Sequence, residues 1–335
     1  MLFRSGISVQ APGDIGYFPT RRVSSACRAY GVPYYTEPPA AVLPDRQVSR
    51  IWMDASNGTQ TWFDYPPNLD GARDLFIKYK QHLTGKPPVC SLGIWLPTLD
   101  HWLSPDRDWP EGALGLADAL RETCDYEVLD ERMIRDGAID KHGIRLLIVP
   151  AAQCLDAQAV RKALAWVETG GVLVALSAQA VVGCDGPAAE WNDAIQPLRG
   201  PAETLKEAGT DPARVWATAS AARGKGRVIV LPADLSYAGQ AAVVSHYNYN
   251  IASYGPYRNA VQIDTDADGI LSTLMTDRIL LFNTTSRPVT KKITLRAEDF
   301  ASAARAPERL GWTLEFAPRE IKHIRLVEEI GRAHV

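Results

Sequence analysis

Among the residues with chemistry to offer, Glu37 has the most informative surroundings. It closes the short β-prone run "VPYYTE" and is followed at once by Pro38 and Pro39. Val and Tyr favour a pleated strand, whereas proline cannot donate to a sheet ladder, so the strand ends near Glu37. The carboxylate is therefore expected at a strand's C-terminal tip. In a parallel α/β barrel that edge carries the active site, while in an ordinary sheet the same residue is a solvated turn carboxylate. Other reactive-looking stretches have plainer explanations. "GKGR" at residues 224–227 precedes a strand, whereas a phosphate loop must follow one and open a helix. Asp264, Asp266 and Asp268 in "DTDADG" have the alternate spacing of a calcium loop, but the twelfth position is Met275 where a Glu is required. A turn entering a strand is the better reading, and no metal is expected. His101 lies in the Trp- and Asp-rich "TLDHWLSPDRDWP", which reads as a loop with ordinary aromatic packing.

The elements that must position these residues fall into three regions. Residues 1–83 alternate strand-like and helical stretches: "GISVQ", "RRVSSACRAYG", "VPYYTE", "RQVSRIWMDASNG", "TQTWFDYP" and "GARDLFIKYKQHL". That order is the signature of parallel βα units. Three such units cannot close a barrel of eight, so a barrel would need five more units upstream. "TGKPPV" reads as a linker. Residues 88–236 carry the continuous apolar runs "LLIVP" and "VLVAL", which suit a parallel sheet covered on both faces. Between them lies an amphipathic helix ending at Gly170 and Gly171, and the whole reads as a Rossmann-like or flavodoxin-like domain. Residues 254–329 hold short segments such as "RILLFNTTS" and "EIKHIRLV" separated by turn residues, the pattern of an antiparallel β-sandwich. Residues 330–335, "IGRAHV", break from that strand pattern and are expected to be a non-native tail.

Composition narrows the function. The chain has 335 residues, 46% of them hydrophobic and 22% charged, as in a globular protein with a sizeable core. A formal net charge of -3 leaves no electrostatic footprint for nucleic acid or an anionic membrane, so neither partner is expected. Cys27, Cys90, Cys124, Cys154 and Cys184 are odd in number and far apart, which suggests buried small hydrophobes and neither a disulfide framework nor a zinc site.

The middle region resembles the class I glutamine amidotransferases in layout. Their nucleophilic Cys sits on a sharp turn after a strand, yet the comparable turn here reads Ser177-Ala178-Gln179, and Cys154 follows a different strand. It is expected to be a non-catalytic relative. The order of the three regions, with the phrases "LLIVPAAQCLDAQAVRKALAWVETGGVLVALS", "DRILLFNTTSRPVTKKITL" and "LEFAPREIKHIRL", resembles the C-terminal part of glycoside hydrolase family 42 β-galactosidases. The resemblance implies the tail of a (β/α)8 barrel, an amidotransferase-like domain that mediates trimerisation, and a small β-sandwich, most of the catalytic barrel being absent. It also implies a retaining glycosidase with a carbohydrate substrate, no cofactor, and assembly into a homo-oligomer. Counting βα units back from the linker makes "VPYYTE" the seventh barrel strand, so Glu37 falls on the nucleophile's position. Gln10, Tyr35, Trp62, Asp64 and Tyr65 lie near the same expected edge, where aromatic faces and hydroxyl-binding groups would serve a sugar. The acid/base carboxyl has no candidate here and is expected upstream, so the chain alone is expected to be inactive. The competing reading is a non-enzymatic oligomerisation or carbohydrate-binding module.

Overall fold

The computed structural model describes residues 16–36, 44–60, 72–103, 111–177, 180–183, 188–203, 205, 211–232, 235–250, 261–263, 269–296 and 309–325. It is a mixed α/β structure that divides into two compact units. The first comprises residues 1–89, 122–125 and 260–335, and the second residues 90–121 and 126–259.

The described residues of the first unit begin with three helices, α1 (Tyr17–Ala29), α2 (Pro44–Ser56) and α3 (Ala72–Tyr79), the last running into a 3-10 turn at Lys80–His82. Gly31 and Gly58, just past the ends of α1 and α2, have φ of 66° and 79°, the left-handed region that glycine enters at least cost.

The second unit is built on a six-stranded sheet. Its elements in chain order are β1 (Leu92–Leu96), α4 (Thr98–Leu103), α5 (Glu111–Arg121), β2 (Glu127–Asp130), α6 (Glu131–Arg135), α7 (Ala138–Lys141), β3 (Leu146–Val149), β4 (Cys154–Leu155), α8 (Ala157–Glu168), β5 (Val172–Ala175), β6 (Val182–Gly183), α9 (Ala189–Ile195), α10 (Arg199–Glu203), α11 (Pro212–Thr218), β7 (Ser220–Arg223), β8 (Gly226–Val230) and α12 (Tyr237–Asn250). The sheet order is β2-β1-β3-β5-β8-β7, with β7 alone antiparallel and β4 pairing separately with β6. Every residue of β1, β3 and β5 is buried, which is why these strands read as unbroken apolar runs. In α8 the buried side chains Ala159, Val160, Ala163, Leu164 and Val167 follow the helical repeat. Asp156 caps this helix by accepting the Ala159 N–H at 2.7 Å. A Cβ on Gly226 would collide with the backbone oxygens of Val167 and Gly171, so only glycine lets β8 pass the end of α8. The "GKGR" stretch forms the turn of the β7–β8 hairpin, as a basic turn before a strand should.

The remaining strands return to the first unit: β9 (Val261–Ile263), β10 (Ile270–Leu274), β11 (Arg278–Asn283), β12 (Val289–Arg296), β13 (Arg309–Phe316) and β14 (Ile321–Arg325). They form two antiparallel sheets, β10-β11-β14 and β13-β12-β9. Ile279 and Leu281 of β11 join Ile293, Leu314, Phe316 and Ile324 in one buried cluster between the sheets. The alternate residues of β11 point the other way, where Phe282 stacks on Trp52 of α2 with ring centroids 5.5 Å apart. β11 is thus buried on both faces, which explains the run "ILLF". The stretch 87–89, expected as a linker, is stitched to the β10 side of this sheet by Val89 N–H to Leu274 O at 2.8 Å and a bridge between Pro88 and Met275.

A buried ion pair anchors α1. Arg21 donates to Asp125 at 2.7 Å, with side-chain exposures of 0% and 9%. Asp125 also accepts from Tyr17 at 2.8 Å and from Thr273 of β10 at 2.9 Å, while the guanidinium lies over the Tyr17 ring and donates to its hydroxyl. Removing one partner leaves the other charge buried and uncompensated. Asp125→Ala is therefore expected to cost about 3–5 kcal/mol, read as a lowered urea midpoint, whereas an unchanged midpoint would show the pair to be idle.

Candidate functional site

Of the six residues that the sequence assigns to a site, Gln10, Glu37, Trp62, Asp64 and Tyr65 lie outside the described residues, and Tyr35 lies within them. The segment leading to Glu37 has a clear alternation. Tyr34 and Thr36 are buried, whereas Pro33 and Tyr35 are exposed, Tyr35 by 46%. This period of two is that of an extended chain with one face packed and one open. The segment pairs with the chain that follows α2: Gln60 N–H donates to Tyr34 O at 3.4 Å, and Tyr35 donates its hydroxyl to Gln60 Oε1 at 3.2 Å. Gln60 was not singled out in the sequence, because an amide at the start of an expected strand carries no local signal.

Behind the packed face lies a polar layer on α2. Arg50 and Asp54 form a buried pair at 2.8 Å. Burial pushes the Tyr34 hydroxyl well above its ordinary value, and the Asp54 carboxylate adds to the effect, so Tyr34 stays neutral. Gln47, in the first turns of α2, is buried with neither amide atom hydrogen-bonded among the described residues, and the Thr36 hydroxyl is in the same condition.

In the second unit the C-terminal ends of β1 and β2 bring two buried carboxyls to the sheet edge. Asp100 accepts the backbone N–H groups of Gln153 and Cys154 at 2.7 and 2.8 Å. Glu131 accepts from the Thr98 hydroxyl and from Leu99 N–H, and burial raises its carboxyl above the usual range despite those bonds. Both are spent on holding loops. Two expectations change here. Cys154 is disulfide-bonded, while Cys27, Cys90 and Cys124 are buried thiols, so the cysteines are not uniformly buried thiols. A disulfide sulfur is no thiolate, which removes Cys154 as a nucleophile. The stretch around His101 is helical, not a loop: it forms α4, with Trp102 and Leu103 exposed by 78% and 61%. Sequence missed this because a six-residue helix is too short to establish a period.

Among the described residues no group of three or more His, Cys, Asp or Glu could hold a metal ion, and no helix is long and apolar enough to cross a membrane.

No family model and no curated protein matches the sequence. Solved structures do match. Gan42B, a GH42 β-galactosidase from G. stearothermophilus, superposes with a TM-score of 0.61 at 12% identity, over 96% of this chain and 58% of its own. This chain has the fold of part of a GH42 β-galactosidase. The β-galactosidase from Rahnella sp. R3 matches with a TM-score of 0.58 at 13% identity, over 97% and 59% of the two chains. A rhamnosidase from Novosphingobium sp. PP1Y matches with a TM-score of 0.56 at 13% identity, over 100% of this chain and 35% of its own. The chain therefore spans less than two thirds of the GH42 structures it matches.

The unpaired amide makes a direct prediction. A buried polar group without a partner costs about 1–3 kcal/mol, so Gln47→Met should raise the urea midpoint. A fall would mean that the amide has a partner in solution.

Proposed function

We propose that this chain is the C-terminal portion of a retaining glycoside hydrolase of the β-galactosidase type. The observation that carries the reading is the superposition on GH42 β-galactosidases over 96% of the chain. The open face at Tyr35 supports it: Tyr35 is exposed beside the buried Tyr34 and Thr36, the pattern of a barrel strand with its outer face packed and its inner face left for the rest of a barrel to enclose. In this reading residues 1–83 are the last βα units of the barrel, residues 88–236 an amidotransferase-like assembly domain through which the protein forms a homo-oligomer, and residues 254–329 a β-sandwich.

Glu37 then acts as the nucleophile. Its ionised carboxylate attacks the anomeric carbon, a C–O bond to the sugar forms, and the glycosidic C–O bond breaks as the leaving oxygen takes a proton from a second carboxyl. That group, then a carboxylate, deprotonates a water that releases the sugar and regenerates Glu37. The second carboxyl belongs about 5–5.5 Å away on another barrel strand and comes from outside these residues. Gln10, Tyr35, Trp62, Asp64 and Tyr65 bind the sugar, with Gln60 orienting the Tyr35 hydroxyl.

The test uses the source gene's complete reading frame beside the present chain, assayed with an aryl β-galactoside. The expected result is retaining hydrolysis by the complete product and none by the present chain, with Glu37→Gln in the complete product lowering kcat by at least about a thousandfold, as loss of a unit of the catalytic machinery does. Full activity in that variant would remove Glu37 from the mechanism. A complete product that retains oligosaccharides but cleaves none would favour a carbohydrate-binding module.

A further inference from the structure

Two histidines meet inside the first unit. His82 ends the 3-10 turn after α3 and is 3% exposed, and His323 lies in the middle of β14. Their rings meet edge to face with centroids 5.2 Å apart, and Tyr79 stacks on the other side of His82 at 6.1 Å. The Nδ1 atom of His82 is buried and makes no hydrogen bond among the described residues. Among the described residues no carboxylate pairs with this ring.

The surrounding charge is mostly positive. Arg278 of β11 lies cross-strand from Arg325 of β14. Arg278 acts on both histidines, and Arg325 acts on His323. Asp277 is the opposing acid, and it is held by Arg278 at 2.7 Å, with Lys86 also near it. On the helical side Lys78 sits 4.8 Å from the Tyr79 ring centroid and Lys80 begins the turn; on β14 Lys322 pairs with Glu320 at 3.6 Å. Protonating either histidine puts a new cation into a poorly solvated place beside an arginine.

We propose that the His82–His323 contact is an acid-sensitive latch: the neutral rings hold the Lys80–His82 turn on β14, and protonation of the pair releases it. Burial lowers His82 from its ordinary 6.5 to about 4, with His323 and Arg278 adding to the effect. Burial, then Arg278 and Arg325, lower His323 as well, against a smaller opposing pull from Asp277. The sign follows from linkage. Below the unfolded value the open form binds more protons than the closed one, so stability falls as the pH drops from 6.5 towards about 4. Above that window the latch is fully closed. Across it, His82 alone weakens closure by up to about tenfold per pH unit.

The test is urea unfolding of the present chain between about pH 7.5 and about pH 4.5, for the wild type, His82→Phe and His323→Phe, with histidine titration by NMR on the wild type. Phenylalanine keeps the ring contact and cannot take a proton. The expected result is a steep acid loss of stability in the wild type that is flattened in both variants, and a His82 ring that titrates well below 6 in the folded chain. The same pH slope in wild type and variants would overturn the latch. So would a folded-state His82 that titrates near 6.5, a measurement that stands even if a variant fails to fold.

Discussion

The Arg21 guanidinium, buried completely in α1, is the constraint around which the first unit is arranged. An isolated cation in that place would cost far more than any single apolar contact returns, so the unit must bring a carboxylate to it. Asp125 supplies that carboxylate from 104 residues away, on a short excursion of the chain between elements of the second unit. Its remaining capacity takes up Tyr17 and Thr273, which links α1 to β10. Above this network Trp52 sits between the rings of Tyr17 and Phe282, at 5.8 and 5.5 Å, so that polar satisfaction and aromatic packing fix the same register.

In the second unit the carboxylates serve the backbone. Asp100, Glu131 and Asp156 each accept main-chain N–H groups where a loop or helix begins next to the parallel sheet. Buried N–H groups need partners, and a carboxylate is the strongest acceptor available. Such residues look catalytic when read as isolated acids at a sheet edge. Their hydrogen bonds show what these carboxyls do here: they hold the starts of loops and helices at the sheet edge.

The sequence made some of this legible and concealed the rest for identifiable reasons. "LLIV" and "VLVA" announced buried parallel strands because burial on both faces abolishes alternation. The amphipathic run ending at Gly170 and Gly171 announced α8. Of the candidate site, the run before Glu37 was read as a strand, and its described part, to Thr36, has one packed and one open face, but the hydrogen bond of Tyr35 to Gln60 was not legible, since 25 residues and a whole helix separate them. Cys154 was misread because spacing alone says nothing about which sulfurs meet in space.

What the sequence determined by itself is therefore local: where apolar periodicity makes helix or strand, where glycine and proline end them, and which side chain of each pair faces inward. Those properties depend on neighbours within a few residues, and backbone geometry enforces them. The tertiary structure alone decided that Arg21 meets Asp125, that β11 is covered on both faces, and that His82 lies against His323. Each of these contacts joins residues far apart in the chain, and what selects it is the cost of leaving a charge, a polar atom or an apolar face unmatched once the core has closed.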